Sequence, residues 1–281
     1  MILVTGAGGT VGSEVVRQLK KTDAPFRAGH HSAEKVVRAK VDGIDAVAID
    51  FAKPDSLRSS LEGVNKLFLL SPSTIEGEEN AIRAAKEAGV EQIVKLSVFG
   101  AQGEAFSFAK LHRRIEKEIE SSGLRYTFLR PNGFMQNVST FYGSTIKTDG
   151  AFYLPSKGAR ISHVDVRDIA TVAVKALTEP GHDGKAYELT GPEALSFGEI
   201  AEKLSKATGR KIAFVDISDA DFQKAMLGMG TPAEYVDGLL DLMHFYANDG
   251  ASALSSAVRD LTGKAPRSFD DYARDHIEAF R

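Results

Sequence analysis

The chain has 281 residues, a net charge of −3 at pH 7 with histidine neutral, and no cysteine. A chain of this length buries enough surface for one large α/β domain with a smaller appendage, without disulfide or metal staples. The missing cysteines exclude thiol catalysis, thiolate metal sites and disulfides, and the acidic balance argues against nucleic-acid binding.

The N-terminal segment runs from an apolar strand into a glycine-rich turn and then into an amphipathic helix. Glycine permits the sharp turn, a close approach of phosphate and tight packing of the helix on the strand. Backbone amides at the start of the helix face the anion. The spacing G-x-x-G-x-x-G is a variant of the common dinucleotide fingerprint, and the alternative is a turn that only packs well. The expected cofactor contacts are Gly6, Gly9, Thr10, Val11 and Gly12.

Strands and helices alternate through the first half of the chain. This alternation predicts a parallel sheet with helices on both faces. The expected fold class is therefore α/β, a Rossmann-type doubly wound parallel sheet with a smaller, mostly helical C-terminal substrate region. Strands are predicted at 26–30, 47–49, 66–70, 92–97 and 126–130, and helices at 77–89 and 109–122.

Residues at the carboxyl ends of these strands form the expected edge of the cofactor site, because parallel sheets bind ligands there. After the second strand, NAD-specific sites commonly have a carboxylate, but this chain has His31 and Ser32, followed by Lys35. These residues favour the 2′-phosphate of NADP, with adenine beside Asp50 and Phe51. Further cofactor contacts are expected at Ser71, Pro72, Ser97, Pro131 and Phe134.

The pattern changes after about residue 150. A short strand is predicted at 161–164, a helix at 166–178 and a strand at 186–190, and Ser196 with Glu199 has the spacing of a capping box. We expect a Rossmann domain over 1–150 that also receives parts of 161–190. An interdigitated substrate region is expected over 151–281. Neither a membrane span nor a secretion signal is found, so a cytoplasmic protein is expected.

The segment from Gly133 to Phe152 is interpreted as a long loop rich in aromatic residues. Its large side chains either belong to the core or form the wall of a pocket for a flat aromatic substrate. The candidate substrate residues are Phe108, Phe134, Met135, Phe141 and Tyr142.

Four segments carry a family resemblance, namely 4–12, 112–131, 163–170 and 187–192. Together they resemble the NmrA-like group of atypical short-chain dehydrogenases/reductases. The chain looks closest to a bacterial branch of NAD(P)H:quinone oxidoreductases, triphenylmethane reductases and flavin-independent azo dye reductases. The resemblance implies bound NADP(H), no flavin, and hydride transfer to a flat conjugated acceptor. The group also contains redox sensors that act through protein partners, and this alternative stays open.

One departure from the wider superfamily affects the mechanism. The window of the usual Tyr-x-x-x-Lys pair begins here with Phe108, which cannot donate a proton, and ends with His112. His112 either packs, binds the nicotinamide ribose or supplies a proton near neutral pH. Conjugated acceptors need little such help, so positioning can suffice. The histidines lack metal-binding spacing, so no metal is expected, and the choice between monomer and homodimer is open.

Overall fold

The computed structural model describes residues 1–71 and 74–281. The chain divides into two compact units, each made of three segments. The first unit contains Met1–Val98, Leu111–Arg130 and Val166–Tyr187, and the second contains Phe99–Lys110, Pro131–Asp165 and Glu188–Arg281. The two units are nearly equal in length, because the second takes residues 99–110 and 131–150 from the stretch expected to form the Rossmann domain.

Strands and helices alternate through the first half of the chain, as predicted. The strands are β1 (Ile2–Val4), β2 (Phe26–His30), β3 (Ala46–Ala48), β4 (Lys66–Leu69), β5 (Gln92–Leu96), β6 (Arg125–Pro131), β7 (Ala151–Leu154), β8 (Arg160–Ile161), β9 (Lys185–Leu189), β10 (Leu195–Ser196) and β11 (Ala213–Asp216). The helices are α1 (Thr10–Leu19), α2 (Ala33–Val41), α3 (Pro54–Ser60), α4 (Ile75–Glu87), α5 (Ser107–Ser122), α6 (Gln136–Asp149), α7 (Val166–Thr178), α8 (Phe197–Thr208), α9 (Asp219–Gly228), α10 (Ala233–Ala247), α11 (Ala257–Thr262) and α12 (Phe269–Asp275).

The largest sheet has seven strands in the order β3-β2-β1-β4-β5-β6-β9. β1 lies between β2 and β4 and is parallel to both, with Val4 opposite Ala28 and Phe68. The pairs β2–β3, β4–β5 and β5–β6 are parallel as well. This is the Rossmann-type α/β fold predicted from the sequence. The strand order reverses between β1 and β4, and sheets of this kind bind ligands at that switch point.

Apolar side chains hold the sheet and helices of the first unit together. β1 is apolar and buried at every position, as a strand in the middle of a covered parallel sheet must be. Leu57 from α3, Ile82 from α4 and Ile115 from α5 belong to one buried cluster with the sheet residues. Helix α1 packs against α7, where the Gln18 side chain donates a hydrogen bond to the Arg167 carbonyl (2.9 Å). These contacts fix the position of α1 behind the glycine-rich turn.

Two small sheets and several helices make up the second unit. β7 and β11 pair in parallel, and β8 and β10 pair antiparallel. Phe152, Phe197 and Phe269 are buried in its core. The predicted capping box at the start of α8 is confirmed, because Glu199 N donates to Ser196 Oγ and Ser196 N donates to the Glu199 carboxylate.

The segment from Gly133 to Phe152 does not form the long loop predicted from the sequence. Helix α6 fills most of it and β7 follows. Val138 and Ile146 belong to the core of the second unit, and Gly150 ends the helix in the left-handed conformation (φ +67°). Serine, threonine and glycine residues interrupt the apolar positions of this helix, so its helical period is hidden in the sequence.

Candidate functional site

The glycine-rich turn follows β1 at the switch point of the sheet. Gly6 has a positive φ of 62°, and Gly9 N donates a hydrogen bond to the Gly6 carbonyl (2.9 Å). A Cβ added at Gly12 would lie only 2.1 Å from Gly6 O. The helix therefore starts so close to the turn that a side chain at position 12 has no room, which confirms the packing reason for this glycine.

Buried hydrogen bonds tie the turn to the end of β4. Thr5 Oγ1 accepts a hydrogen bond from Leu70 N (2.9 Å) and lies 2.9 Å from Leu70 O, to which it can donate. A Cβ at Gly6 would approach Leu70 O to 3.0 Å. Ala7 N donates to the Gly29 carbonyl at the end of β2 (3.1 Å). The turn is thus held by hydrogen bonds to the ends of both neighbouring strands.

The N-terminus of α1 is available to an anion. Gly9 is the N-cap in an extended conformation and provides no side-chain hydrogen bond, and the first turn contains no acidic residue. Thr10 is exposed, whereas Val11 and Gly12 are buried. The first amides of a helix have no intrahelical partners, so they present a partial positive charge to a bound phosphate.

Two basic side chains lie over the turn from β2 and α2. A Cβ at Gly8 would lie 3.1 Å from Lys35 Nζ and 3.2 Å from His30 Nδ1. His30 Nδ1 is buried without a hydrogen-bond partner. Burial and, secondarily, the Lys35 charge lower the pKa of His30, which keeps it neutral at pH 7. His31 was predicted at this place from the sequence, whereas the structure places His30 there. Neighbouring strand residues point to opposite faces, so only one of the two histidines could face the turn.

The other residues predicted around the adenosine end have different surroundings. Ser32 is the N-cap of α2 and its hydroxyl makes no capping hydrogen bond, while His31 is exposed. The Asp50 carboxylate accepts a hydrogen bond from Ala52 N (3.0 Å), and this bond, followed by the Lys53 ammonium, lowers its pKa. Phe51 packs against the core of the first unit.

Ser97 belongs to a buried network in the first unit. Its hydroxyl donates a hydrogen bond to Glu116 Oε1 (2.7 Å), and Arg130 binds both oxygens of the same carboxylate at 2.9 and 2.7 Å. Arg113 donates to Glu116 Oε2 at 3.1 Å. The Ser97 hydroxyl proton is therefore directed to Glu116, so the predicted cofactor contact of this residue has to use its oxygen lone pairs.

A second buried network surrounds His112. Lys95 and Glu78 are each 1% exposed, and Lys95 Nζ lies 2.9 Å from Glu78 Oε1 and 3.4 Å from His112 Nδ1. Ser71 Oγ donates to the same Glu78 oxygen (2.6 Å). Burial and, secondarily, the Lys95 charge lower the pKa of His112 well below its ordinary value. Neither Glu78 nor Lys95 was predicted, although a lysine inside an apolar strand is an unusual residue to bury. Pro72 lies outside the described residues.

The remaining predicted residues lie in the second unit. The carbonyl of Pro131 accepts a hydrogen bond from Phe99 N (2.9 Å). Phe134 is partly buried and forms a single parallel bridge with Val164, so the strand predicted at 161–164 is reduced to β8 and this bridge.

Some of the candidate substrate residues pack in the core of the second unit, and others lie at its surface. Met135 is 1% exposed in the core of the second unit. Tyr142 packs against the same core, its ring stacks on Phe152 at 5.6 Å, and burial raises the pKa of its hydroxyl. Phe141 is 63% exposed, and the Phe108 ring lies 5.8 Å from that of Tyr235. Phe141 is exposed and Phe108, Phe134 and Tyr142 are partly buried, so Met135 alone of the five candidates has no surface that a substrate could contact.

The described part of the chain offers neither a metal site nor a helix that could span a membrane. Within residues 1–71 and 74–281, no group of three or more His, Asp or Glu side chains could hold a metal ion. None of the helices formed by these residues has both the length and the apolar character needed to cross a bilayer.

Known proteins match the chain over nearly its whole length. The model of the NmrA-like family matches residues 1–273. The chain belongs to the NmrA-like family. Its resemblance to that family, inferred from the sequence segments, is thereby confirmed.

Proteins that are similar to the chain include reductases. The NAD(P)H azoreductase of Xenophilus azovorans is 37% identical over 284 residues, which cover 100% of this chain and 99% of that protein. The NADPH-dependent quinone oxidoreductase of Escherichia coli, complexed with NADPH, superimposes with a TM-score of 0.88 at 29% identity, over 99% of this chain and 100% of that one. The triphenylmethane reductase of Citrobacter sp., complexed with NADP(H), gives 0.87 at 25% identity, over 98% and 99%.

Proposed function

We propose that this NmrA-like protein is an NADPH-dependent, flavin-free reductase that transfers a hydride to a flat conjugated acceptor of the azo, quinone or triphenylmethane type. The observation that carries the proposal is the glycine-rich turn with Lys35 and His30 beside it, in a chain whose relatives include reductases of all three acceptor types. The proposal includes a cytoplasmic location and a small aromatic substrate, without nucleic acid or membrane as a partner, and it leaves the choice between monomer and homodimer open.

The residues of the first unit fit a phosphorylated dinucleotide. The open N-terminus of α1 supplies amides for the pyrophosphate. Lys35 Nζ supplies a cation, and the Ser32 hydroxyl and His30 Nδ1 have no partner in the described structure, so they can bind a 2′-phosphate or the ribose that carries it. A carboxylate, which would repel that phosphate, is absent from this set.

When bound, NADPH supplies the hydride. The protein's part is then to orient the two reactants, because a conjugated acceptor delocalises the added electron pair and can take its proton from solvent. Phe108 has no proton to give, and His112 is neutral at pH 7. We assign the walls of the acceptor site to the four aromatic candidates with accessible surface, Phe108, Phe134, Phe141 and Tyr142.

The proposal is tested by following NADPH oxidation with purified protein, free of added flavin, against quinones, azo dyes and triphenylmethane dyes. Turnover with at least one class is expected, and Phe134→Ala should weaken it. If no acceptor is reduced while NADPH still binds tightly, the reductase proposal fails and a redox sensor that acts through protein partners replaces it.

Cofactor choice has its own test. Lys35→Ala should weaken NADPH binding about tenfold and leave NADH binding unchanged, because only NADPH carries the phosphate that Lys35 faces. Lys40→Ala, on an exposed position of the same helix, is the matched control. Equal wild-type affinities for the two cofactors, or tighter binding of NADH, contradict the assignment.

A further inference from the structure

We propose that the buried Glu78–Lys95 ion pair holds His112 in the tautomer that carries its proton on Nε2, so that His112 is a fixed hydrogen-bond donor to an oxygen of the bound reactants. Lys95 and Glu78 are then positioning residues that act through His112. The inference rests on the proposed reductase function for the identity of those reactants, but the tautomer itself does not depend on turnover.

The hydrogen bonds of Lys95 carry the first step. Its ammonium contacts Glu78 Oε1 at 2.9 Å, the Leu96 carbonyl at 2.7 Å and His112 Nδ1 at 3.4 Å. An ammonium group has three protons and no lone pair. All three protons are directed to acceptors, so the only role left to His112 Nδ1 is to accept.

The tautomer follows from that role. A neutral imidazole that accepts at Nδ1 carries its proton on Nε2. Two charged groups from other elements face His112, namely Lys95 from β5 and Glu78 from α4, which is paired with Lys95. On α5, the helix that contains His112, Arg113 and Glu116 are paired with each other. Both burial and the facing ammonium oppose a second proton on the ring. Nε2 has no partner within residues 1–71 and 74–281, so its N–H is available to a ligand.

The ion pair is poorly suited to a purely stabilising role. Glu78 Oε1 accepts from Lys95 and from Ser71, but Glu78 Oε2 is buried without a hydrogen bond to any of the described residues. Such a pair is often no more stable than apolar residues of similar size. Ser71 and Lys95 lie at the carboxyl ends of β4 and β5, the edge where sheets of this kind bind ligands. The location of the Glu78–Lys95 pair at this edge and the unfavourable burial of its charges both point to a role in ligand binding.

The first experiment measures the tautomer directly. Protein labelled with ¹⁵N in its histidine side chains is examined by NMR between pH 5.5 and 8, and the His112 signals are assigned by their loss in His112→Gln. The wild type should show protonated Nε2 throughout this range. The control Lys66→Met removes a lysine of the neighbouring strand, whose ammonium binds only the Leu177 carbonyl in the described structure, and should show the same signals. Protonated Nδ1 in the wild type overturns the proposal.

Removing the lysine should reverse the tautomer. In Lys95→Met the Glu78 carboxylate is left facing the ring, so Nδ1 takes the proton and Nε2 becomes an acceptor. The pKa of His112 should rise relative to the wild type, because the Lys95 ammonium no longer opposes the charge of a protonated ring. Should that variant not fold, the Glu78→Gln/Lys95→Met double variant removes both charges and should show a mixture of tautomers. Unchanged protonated Nε2 in these variants refutes the role of the pair.

The second experiment tests whether the hydrogen bond donated by His112 Nε2 contributes to cofactor binding or to turnover. His112→Phe should lose about tenfold in NADPH affinity if the oxygen belongs to the cofactor, or about tenfold in kcat/KM for the acceptor if it belongs to the acceptor. His112→Gln, whose amide can donate from a similar position, should recover most of this loss. The activity of Lys95→Met should rise as the pH falls, because imidazolium donates from both nitrogens, whereas the wild type should stay flat. Wild-type affinity and kinetics in His112→Phe contradict the proposal even where the dye panel supports a reductase.

Discussion

Replacing Gly12 by alanine has two opposite effects on the free energy of unfolding. Alanine is favoured over glycine inside a helix by about 1 kcal/mol, so helix propensity alone predicts stabilisation. In this structure, however, the added Cβ would lie 2.1 Å from the Gly6 carbonyl oxygen and 2.6 Å from the Gly6 carbonyl carbon. Both neighbours are backbone atoms that cannot rotate away. Relief requires a shift of α1 from the turn, and overpacking of this kind typically costs about 1–3 kcal/mol.

The overlap is with backbone atoms, so we expect the cost to lie at the upper end of that range and Gly12→Ala to lower the free energy of unfolding by up to about 2 kcal/mol, the difference between the two effects. Because α1 must move, its amides no longer point at the pyrophosphate, and NADPH affinity should fall at least about tenfold. Urea unfolding and fluorescence titration with NADPH measure the two quantities. Gly228→Ala, a helical position where an added Cβ meets nothing within 4 Å, is the control and should be neutral or stabilising. A Gly12→Ala protein as stable as the wild type with unchanged affinity refutes this reasoning.

Two further predictions concern buried charged or titratable groups. The pKa of His163 is lowered to about 4 by burial, against about 6.5 in the unfolded chain, so its contribution to stability is complete above pH 6.5 and is lost as the pH falls toward 4. This loss amounts to ~3 kcal/mol of unfolding free energy. His163→Asn should therefore make the free energy of unfolding, measured with urea between pH 7 and 4.5, less dependent on pH. An unchanged pH dependence contradicts the role assigned to His163. Arg130→Met should lower the free energy of unfolding by about 3–5 kcal/mol, because it leaves the buried Glu116 carboxylate without its bidentate partner, and adding Glu116→Gln should restore most of that. A cost below about 1 kcal/mol for the single variant would show that the network is not stabilised in this way.

Elements with a regular pattern and clear ends were predictable from the sequence. The strand Phe26–His30 and the helix Val166–Thr178 have the predicted bounds, since each combines apolar residues at a single period with a polar or turn-forming boundary. Helix α6 could not be recognised, because Val138, Gly143 and Ile146 are its few buried residues and serine and threonine residues separate them in the sequence. Short elements such as β7, β11 and α11 carry too few residues to establish a period, and their pairing is decided by tertiary contacts.

In the candidate site, too, the local features were predictable from the sequence and the contacts between distant residues were not. The glycine-rich turn is local, so its spacing alone predicts its geometry, and Gly12 shows the expected close packing. The pair of Glu78 and Lys95 is formed between residues 17 positions apart, on a helix and a strand that meet only in the folded chain. His30 was missed for a simpler reason, since only the direction of each side chain from the strand distinguishes it from His31.

The packing of α1 on α7 affects how the protein is made. Gln18 and the Arg167 carbonyl that it binds are separated by 149 residues, so ribosomes adding roughly 5–20 residues per second supply α7 on the order of 10–30 s after α1. During that interval the surface of α1 that α7 later covers is open to water, although every glycine of the turn before α1 has already been synthesised. The position of α1 behind the turn is therefore fixed only after α7 has been made, and a nascent chain stalled before α7 lacks that contact.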